Sequence, residues 1–144
     1  MSKQPIKLLM AQINPTVGAI EENTDKIIQC IQKNGPKHNI IIFPELAVTG
    51  YPPEDLLFRN ELFDRTKKAL KRIQNASDDC FVVVGHPSKK DNHTFNSASV
   101  YTQQTLVTCY HKQALPNYGV FDEKRYFTPG PKVACHFKIG AHLF

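Results

Sequence analysis

Short runs of consecutive apolar residues alternate in this chain with longer segments in which apolar residues recur every three or four positions. A short apolar run rich in β-branched side chains is typical of a strand buried on both faces of a sheet, and the wider spacing is typical of an amphipathic helix. The runs predict strands at residues 7–13, 40–43 and 80–85. Because a helical segment separates each of these strands from the next, we expect an α/β fold built on βαβ units.

Two segments have the helical spacing together with recognisable ends. The first covers residues 21–33, with acidic residues in its first turn, three isoleucines on one side, and Gly35-Pro36 after its last turn. The second begins at Asn60, whose side chain is predicted to cap the helix. The apolar side of this second helix consists of Leu62, Phe63, Leu70 and Ile73.

Beyond the third strand the pattern changes to that of β structure. Residues 95–101 and 105–110 predict the two strands of a hairpin that turns at Gln103-Gln104. Lys112 follows this hairpin directly, at the start of an irregular, aromatic segment.

The end of the chain alternates apolar and polar residues at positions 133–139, which predicts a strand with one solvated face. Gly140 can turn the chain into a further strand that begins at Ala141. The sequence stops within this predicted strand, so we expect the chain to be a truncated part of a longer domain.

Composition narrows the possible function classes. With 144 residues, of which 41% are hydrophobic and 22% charged, the chain has the size and composition of one globular domain. No apolar run approaches the roughly 20 residues of a membrane span, and the first strand begins too early to leave space for a signal peptide. We therefore expect a cytoplasmic protein without membrane contact.

The basic and sulfur-containing residues point to no special partner. The net charge is +5, and the densest basic cluster lies on the polar side of the second predicted helix without interleaved aromatic residues, which favours a solvated helix face over nucleic-acid binding. The four cysteines lie far apart, without a Cys-x-x-Cys pair, which indicates reduced, mostly buried thiols and no disulfide or metal site. These cysteines are Cys30, Cys80, Cys109 and Cys135.

Glu45 is the first candidate for chemistry. It follows Pro44 at the end of a predicted buried strand, and sites in α/β folds are assembled on loops at such strand ends. One interpretation is that Glu45 accepts hydrogen bonds from the turn at Gly50-Tyr51. The other is that it acts as a general base, which requires a partner cation and a nucleophile.

The chain contains four ordered motifs: Phe-Pro-Glu-Leu at residues 43–46, Tyr-Pro-Pro-Glu-Asp-Leu-Leu at 51–57, His-Lys-Gln-Ala at 111–114 and Leu-Pro-Asn-Tyr-Gly-Val-Phe-Asp-Glu at 115–123. They resemble motifs of the nitrilase, or carbon–nitrogen hydrolase, superfamily, and the resemblance runs from about residue 7 to residue 130. Within the superfamily, the motifs at 51–57 and 115–123 resemble the glutaminase domain of bacterial glutamine-dependent NAD synthetases. The resemblance implies the N-terminal portion of an α-β-β-α sandwich.

The superfamily uses a Glu-Lys-Cys triad, and the resemblance implies roles for three residues here. Glu45 would be the general base and Lys112 would stabilise the negative charge that develops on the amide oxygen. Glu123 resembles a second family carboxylate that orients the lysine or the substrate. The alternative interpretation of Lys112 is an ordinary exposed lysine beside His111. For Asp122 or Glu123 the alternative is a charged residue in a surface turn.

For substrate binding, Tyr118 resembles the aromatic residue that contacts glutamine in the synthetases, with Tyr51 and Phe121 as further candidates for the pocket wall. Simple packing is the alternative for all three. The family nucleophile is a cysteine beyond the region of Gly130, and no residue of this sequence fills that position. The four cysteines of the chain are expected to be structural thiols.

The resemblance therefore implies that residues 1–144 are an incomplete glutamine amidohydrolase domain that supplies ammonia for the amidation of deamido-NAD. The ATP-dependent synthetase domain, which would bind ATP and Mg²⁺, is absent from this sequence, and this portion needs no cofactor of its own. The intact protein is expected to be a homo-oligomer. The alternatives are a stand-alone amidase of the same superfamily, or a catalytically inactive remnant that serves as an interaction module.

Overall fold

A computed structural model describes residues 4–144 of the chain. Its helices and strands alternate in the first half, as the apolar pattern predicts, and strands predominate afterwards. Two short 3₁₀ turns precede β2 and α2. The elements are β1 (Leu8–Met10), α1 (Ile20–Asn34), β2 (Ile40–Ile42), α2 (Asn60–Asn75), β3 (Phe81–Lys90), β4 (His93–Thr102), β5 (Thr105–His111), α3 (Glu123–Tyr126), β6 (Lys138–Ile139) and β7 (His142–Leu143).

Five strands form one sheet in the order β1-β2-β3-β4-β5. The first three strands are parallel, as βαβ connections require, whereas β4 and β5 are antiparallel to their neighbours. The predicted hairpin at Gln103-Gln104 is confirmed, and both residues have left-handed φ angles of 48° and 55°. Such angles are those of a two-residue turn that matches the twist of the strands.

The third strand is longer than predicted. It continues through Gly85 and Pro87 to Lys90, and the chain returns through a tight turn at Asp91-Asn92 into β4. Gly and Pro inside a strand usually indicate its end or a bulge, which is why the sequence pattern alone suggested a strand that stops at residue 85.

Both long helices pack through isoleucines into the same core, against the central strands. Ile27 and Ile31 of α1 and Ile73 of α2 are buried together with Ile41 and Val82 of the sheet. This arrangement confirms the predicted apolar sides of the helices. None of the helices in the described residues is long and apolar enough to cross a membrane.

The predicted cap of α2 is wrong. Asn60 lies inside the first turn, Arg59 occupies the capping position, and no side chain caps the helix. The Asn60 side chain instead accepts a hydrogen bond from Lys89 Nζ at 3.1 Å. A contact between distant parts of the chain has thus taken the side chain that local sequence assigned to the helix end.

The opposite face of the sheet is only partly covered. The side chain of Met10 is 77% exposed there. The predicted strand at 133–139 is wrong in extent, because only Lys138–Ile139 pairs, with His142–Leu143 across the turn at Gly140. Stacking of Phe137 between Phe81 and Phe144 holds this small hairpin against the sheet.

All four cysteines are free. The expectation that they are mostly buried is correct for Cys80 alone, and the other three are partly exposed. Burial raises the pKa of the Cys80 thiol to about 11 and also raises the pKa of Cys109. Both sulfurs therefore remain protonated thiols near neutral pH, as expected of structural cysteines.

Candidate active site

A sharp turn after β2 positions Glu45. Leu46 has a left-handed φ of 49°, and the backbone of the turn lies directly over Gly85 of β3. A Cβ atom at Gly85 would lie 2.4 Å from the Leu46 nitrogen and 2.7 Å from the Pro44 oxygen, closer than real Cβ atoms come. The turn that carries Glu45 can therefore pack on the sheet only because residue 85 is glycine.

Lys112 follows β5, and two backbone hydrogen bonds hold it. Its N–H donates to the oxygen of Asn96 on β4, and its oxygen accepts from the N–H of Gly130, both at 2.8 Å. A Cβ atom at Gly130 would lie 2.2 Å from the His111 oxygen. A close approach of two backbone segments thus positions Lys112, as the approach at Gly85 positions Glu45.

Glu123 begins the short helix α3 and is only 4% exposed. Its N–H donates to the oxygen of Pro116, and its carboxylate accepts a hydrogen bond from the Tyr51 hydroxyl at 3.0 Å. Burial, reinforced by the bond to Glu123, raises the pKa of Tyr51 to about 12. Tyr51 is therefore a hydrogen-bond donor to Glu123 throughout the physiological pH range.

The ammonium group of Lys112 lies between two carboxylates. Lys112 Nζ is 2.6 Å from Glu45 Oε1 and 3.1 Å from Glu123 Oε1. Burial opposes the charged form of Lys112, but its hydrogen bonds to Glu45 and Glu123 outweigh burial and raise its pKa. The cluster therefore holds one ammonium group between two carboxyl groups.

One oxygen of this cluster lacks a hydrogen-bond donor. Glu123 Oε2 is buried without a hydrogen-bond partner among the residues described. Lys112 Nζ lies 3.1 Å from it, which is a charge contact, but the hydrogen bond itself is directed at Oε1. This oxygen is enclosed by the protein, and the ammonium group of Lys112 is its counter-charge.

The structure thus brings together four of the six predicted site residues, Glu45, Lys112, Glu123 and Tyr51. Glu45 is not bonded to the Gly50-Tyr51 turn, because its partners are Asn96 and Lys112. The Lys112 side chain is 27% exposed and paired, unlike an ordinary surface lysine.

The remaining two predicted residues lie on a loop further out. Phe121 lines the same cleft as Tyr51 and Glu123. Tyr118 does not line that cleft: it is 71% exposed, and its ring packs edge-on against Phe121 with 5.6 Å between the centroids.

Each partner of the Lys112–Glu123 ion pair lines a different hollow. The larger, about 650 Å³, is lined by Tyr51, Phe121 and Glu123 with a partly apolar wall, and the smaller, about 310 Å³, by Glu45, Lys112 and neighbouring strand residues. No cysteine among the described residues lines either hollow. Residues 4–144 also contain no cluster of three metal-ligating side chains.

Sequence reasoning missed Asn96. This residue is 4% exposed, and its Nδ2 donates to Glu45 Oε1 at 2.6 Å. The available signal was a polar amide in the middle of the strand predicted at 95–101, but only the register between β4 and β5 places it beside Lys112.

Comparisons with known proteins agree on the family. Residues 8–142 match the carbon–nitrogen hydrolase family. The glutamine-dependent NAD(+) synthetase of Xanthomonas campestris pv. campestris is 42% identical over 128 residues, which cover 88% of this chain and 23% of that protein. The synthetase of Thermotoga maritima is 36% identical over 137 residues, 94% of this chain and 24% of that protein.

Solved structures extend the match to three dimensions. The glutamine-dependent NAD+ synthetase of Acinetobacter baumannii superposes with a TM-score of 0.89 at 38% identity, covering 96% of this chain and 26% of that one. An amidase from Nesterenkonia sp. superposes at 0.81 with 19% identity, covering 96% of this chain and 53% of that one, and shares the fold.

The chain spans about a quarter of the length of the synthetases that it matches. Its sheet and helices correspond to the N-terminal portion of the nitrilase-superfamily fold. The chain belongs to the carbon–nitrogen hydrolase family.

Proposed function

We propose that this chain supplies the acid–base residues of a glutamine amidohydrolase. The observation that carries the proposal is the ammonium group of Lys112 held between two carboxylates, 2.6 Å from Glu45 and 3.1 Å from Glu123. Hydrolysis of an amide by a thiol requires a base to deprotonate the sulfur and a cation near the carbonyl oxygen. Glu45 and Lys112 fit these two roles in charge and in position.

The chemistry follows from these positions. Glu45 takes the thiol proton as the sulfur forms a bond to the amide carbon, and Lys112 stabilises the oxyanion of the tetrahedral intermediate. The carbon–nitrogen bond then breaks, and the nitrogen leaves as ammonia with the proton from Glu45. Water next attacks the thioester, Glu45 takes one of its protons, and glutamate and the thiol are released.

The thiol itself is proposed to come from outside residues 1–144. None of the four cysteines lines the two hollows, and burial keeps Cys80 and Cys109 protonated. We therefore expect residues 1–144 alone to release no ammonia from glutamine.

Glu123, Tyr51 and Phe121 are proposed to bind the substrate. Glu123 lines the larger hollow and holds the side chains of Lys112 and Tyr51 through hydrogen bonds, which orients both groups for a bound carboxamide. Phe121 and Tyr51 form the wall of the larger hollow beside it. Tyr118, whose ring packs against Phe121, is the proposed contact for the amino-acid end of glutamine.

The names of the relatives extend the proposal to NAD synthesis. The two relatives compared above bear the name of glutamine-dependent NAD(+) synthetase. In the proposal, ammonia from the hydrolase site serves the ATP-dependent amidation of deamido-NAD, at a domain that binds ATP and Mg²⁺ and lies outside residues 1–144.

A chimera tests the proposal. Residues 1–144 replace the matching segment of the Xanthomonas campestris synthetase, to which they are 42% identical. We expect glutamine-dependent NAD synthesis in the chimera, and a loss of at least ~10³-fold on Glu45→Gln or Lys112→Met. Synthesis from added ammonium salts should persist in both variants, because free ammonia bypasses the hydrolase step.

The matched controls are Glu22→Gln and Lys124→Met, which change exposed residues of the same types outside the charge cluster and outside both hollows. Both should leave the glutamine-dependent rate unchanged. Full activity of the Glu45→Gln chimera would refute the assigned base, and ammonia release by residues 1–144 alone would refute the external thiol.

A further inference from the structure

The side-chain amide of Asn96 is directed at the proposed base. Asn96 Nδ2 donates to Glu45 Oε1 at 2.6 Å, and the same oxygen accepts from Lys112 Nζ, also at 2.6 Å. An ionised carboxylate can only accept hydrogen bonds, so the amide must present its NH₂ group rather than its oxygen. The orientation of the Asn96 amide is therefore determined by its partner.

Asn96 is itself held rigidly. It is buried in the middle of β4, and its backbone oxygen accepts the N–H of Lys112 at 2.8 Å. One residue thus contacts the Lys112 backbone through its main chain and the Glu45 carboxylate through its side chain. These two charged residues lie 67 positions apart in the sequence, and Asn96 links them.

The two oxygens of Glu45 are not equivalent. Both hydrogen bonds that the structure shows to this carboxylate end on Oε1. The Glu45 side chain is about half exposed and lines the smaller hollow, and within residues 4–144 no group is hydrogen-bonded to its other oxygen. An oxygen that already accepts two short hydrogen bonds has little remaining capacity to take up a proton.

We propose that Asn96 is a positioning residue that fixes the Glu45 carboxylate with Oε1 occupied, so that Oε2 is the oxygen that exchanges protons with the nucleophile and with water. The inference rests on the proposed function of Glu45.

Lys112 alone is poorly suited to this positioning. Its ammonium group is shared between Glu45 and Glu123, and it must also interact with the oxyanion that develops during the reaction. A neutral donor on a central strand keeps the carboxylate in place while the Lys112 contacts change. Asn96 supplies that donor without adding a charge to the cluster.

The first experiment examines the contact in the 144-residue chain, without any need for activity. The side-chain NH₂ resonances of Asn96 are followed by ¹H–¹⁵N NMR in the unmodified chain and in the Glu45→Gln variant. A hydrogen bond to a charged acceptor is shorter and stronger than one to a neutral amide, so the bonded proton should move upfield in the variant. The control Glu54→Gln should leave it in place, and an unchanged resonance in Glu45→Gln would overturn the inference.

The second experiment measures catalysis in the chimera. Asn96→Asp keeps the shape of the side chain but removes the donor, and Asn96→Leu removes its polarity as well. If Asn96 positions Glu45, both variants should lose about 10- to 100-fold in kcat with KM within about two-fold, and the Asp variant should lose at least as much because its charge repels Glu45. A merely structural role predicts that Asn96→Asp, the closer match in shape, retains most of the activity.

Ser99→Ala is the matched control, because it removes the hydrogen bond to His86 on the opposite face of β4, and Ser99 lines neither hollow. It should leave kcat unchanged. If Glu45→Gln abolishes glutamine use while both Asn96 variants retain normal kcat, the inference fails and the proposed function stands. If Glu45→Gln is fully active, the proposed function itself fails.

Discussion

Neighbouring residues on the outer strands of the sheet lie in two very different environments. On β4, Asn96 faces the charged cluster, whereas the next residue, Ser97, donates to or accepts from His111 on the other face. At the end of β5 the same alternation places His111 on one face and Lys112 on the other. Successive strand residues point to opposite faces, so one short stretch of backbone serves both environments.

The face opposite the charge cluster carries an uncharged polar network. His86 Nε2 is 2.8 Å from the Ser99 hydroxyl, and Ser97 is hydrogen-bonded to both Ser88 and His111. Burial lowers the pKa of His86 to about 4, and burial also lowers the pKa of His111. Histidines here are therefore neutral near pH 7.

The comparison shows how a partner of opposite charge decides between charge and neutrality. The cluster face opens into two hollows and keeps an ammonium group between carboxylates, because each charge has a partner of opposite sign. The buried face provides hydrogen bonds but no counter-charge, so its titratable groups are neutral. Chemistry that moves protons is possible on the first face, and the second face contributes stability.

The largest effect is expected at Gly85, which lets the Glu45 turn pack on the sheet. Gly85→Ala would place a Cβ atom 2.4 Å from the Leu46 nitrogen, and the turn would have to move away from β3. We expect a loss of about 4 kcal/mol or more in the free energy of unfolding, or failure to fold, measured by urea denaturation.

The control for this prediction is Gly35→Ala. A Cβ atom there would meet Cys80 Sγ at 3.4 Å, an ordinary contact, in a helical backbone conformation. Its effect should remain within about 1 kcal/mol. A Gly85→Ala chain as stable as the control would show that the turn does not depend on this close approach.

The second prediction concerns the pH dependence of the free energy of unfolding that is due to His86 on the neutral face. The pKa of His86 is about 4 in the folded chain, whereas an unfolded histidine has the ordinary value of 6.5. Between these values the unfolded state binds more protons, so stability falls as the pH falls from 6.5 to 4. The full difference corresponds to a loss of about 3 kcal/mol. Urea denaturation at a series of pH values measures it.

His86→Gln should reduce this pH dependence, because the variant has no group at position 86 that titrates in the window. His136→Gln, a change at an exposed histidine, is the matched control and should leave the slope intact. An equal slope in His86→Gln and in the unmodified chain would contradict a neutral buried His86.

Local sequence signals explain which parts of this arrangement were predictable. The strand that ends at Pro44 and the hairpin at Gln103-Gln104 follow from neighbouring residues, and both are confirmed. The contact of Asn96 with Glu45 joins residues 51 positions apart and depends on strand register, which the sequence alone does not specify.

Contacts between residues distant in the sequence also explain which predictions were wrong. The Asn60 cap failed because Lys89, remote in sequence, bonds its side chain. The extension of β3 beyond Gly85 was missed because Gly85, which locally indicates a break, is required by the turn that crosses it. In both cases a tertiary contact overrides a local preference.

The smallest of the three expected effects is the stability lost when the ion pair between Lys112 and Glu123 on the cluster face is broken. Lys112→Met leaves the buried Glu123 carboxylate with Tyr51 as its remaining hydrogen-bond donor. Breaking a fully buried ion pair costs about 3–5 kcal/mol, and we expect about 2 kcal/mol here because Lys112 is partly exposed.

Adding Glu123→Gln to Lys112→Met should recover part of this loss, since the double variant has no unpaired buried charge at position 123. Urea denaturation of the two single variants and the double variant gives the coupling energy between the residues. Lys124→Met, a change at an exposed lysine next to Glu123 in sequence, is the control and should show no coupling to Glu123→Gln. Additive losses in Lys112→Met and Glu123→Gln would mean that the two side chains do not interact in solution. The difference between the two faces would then depend on His86 alone.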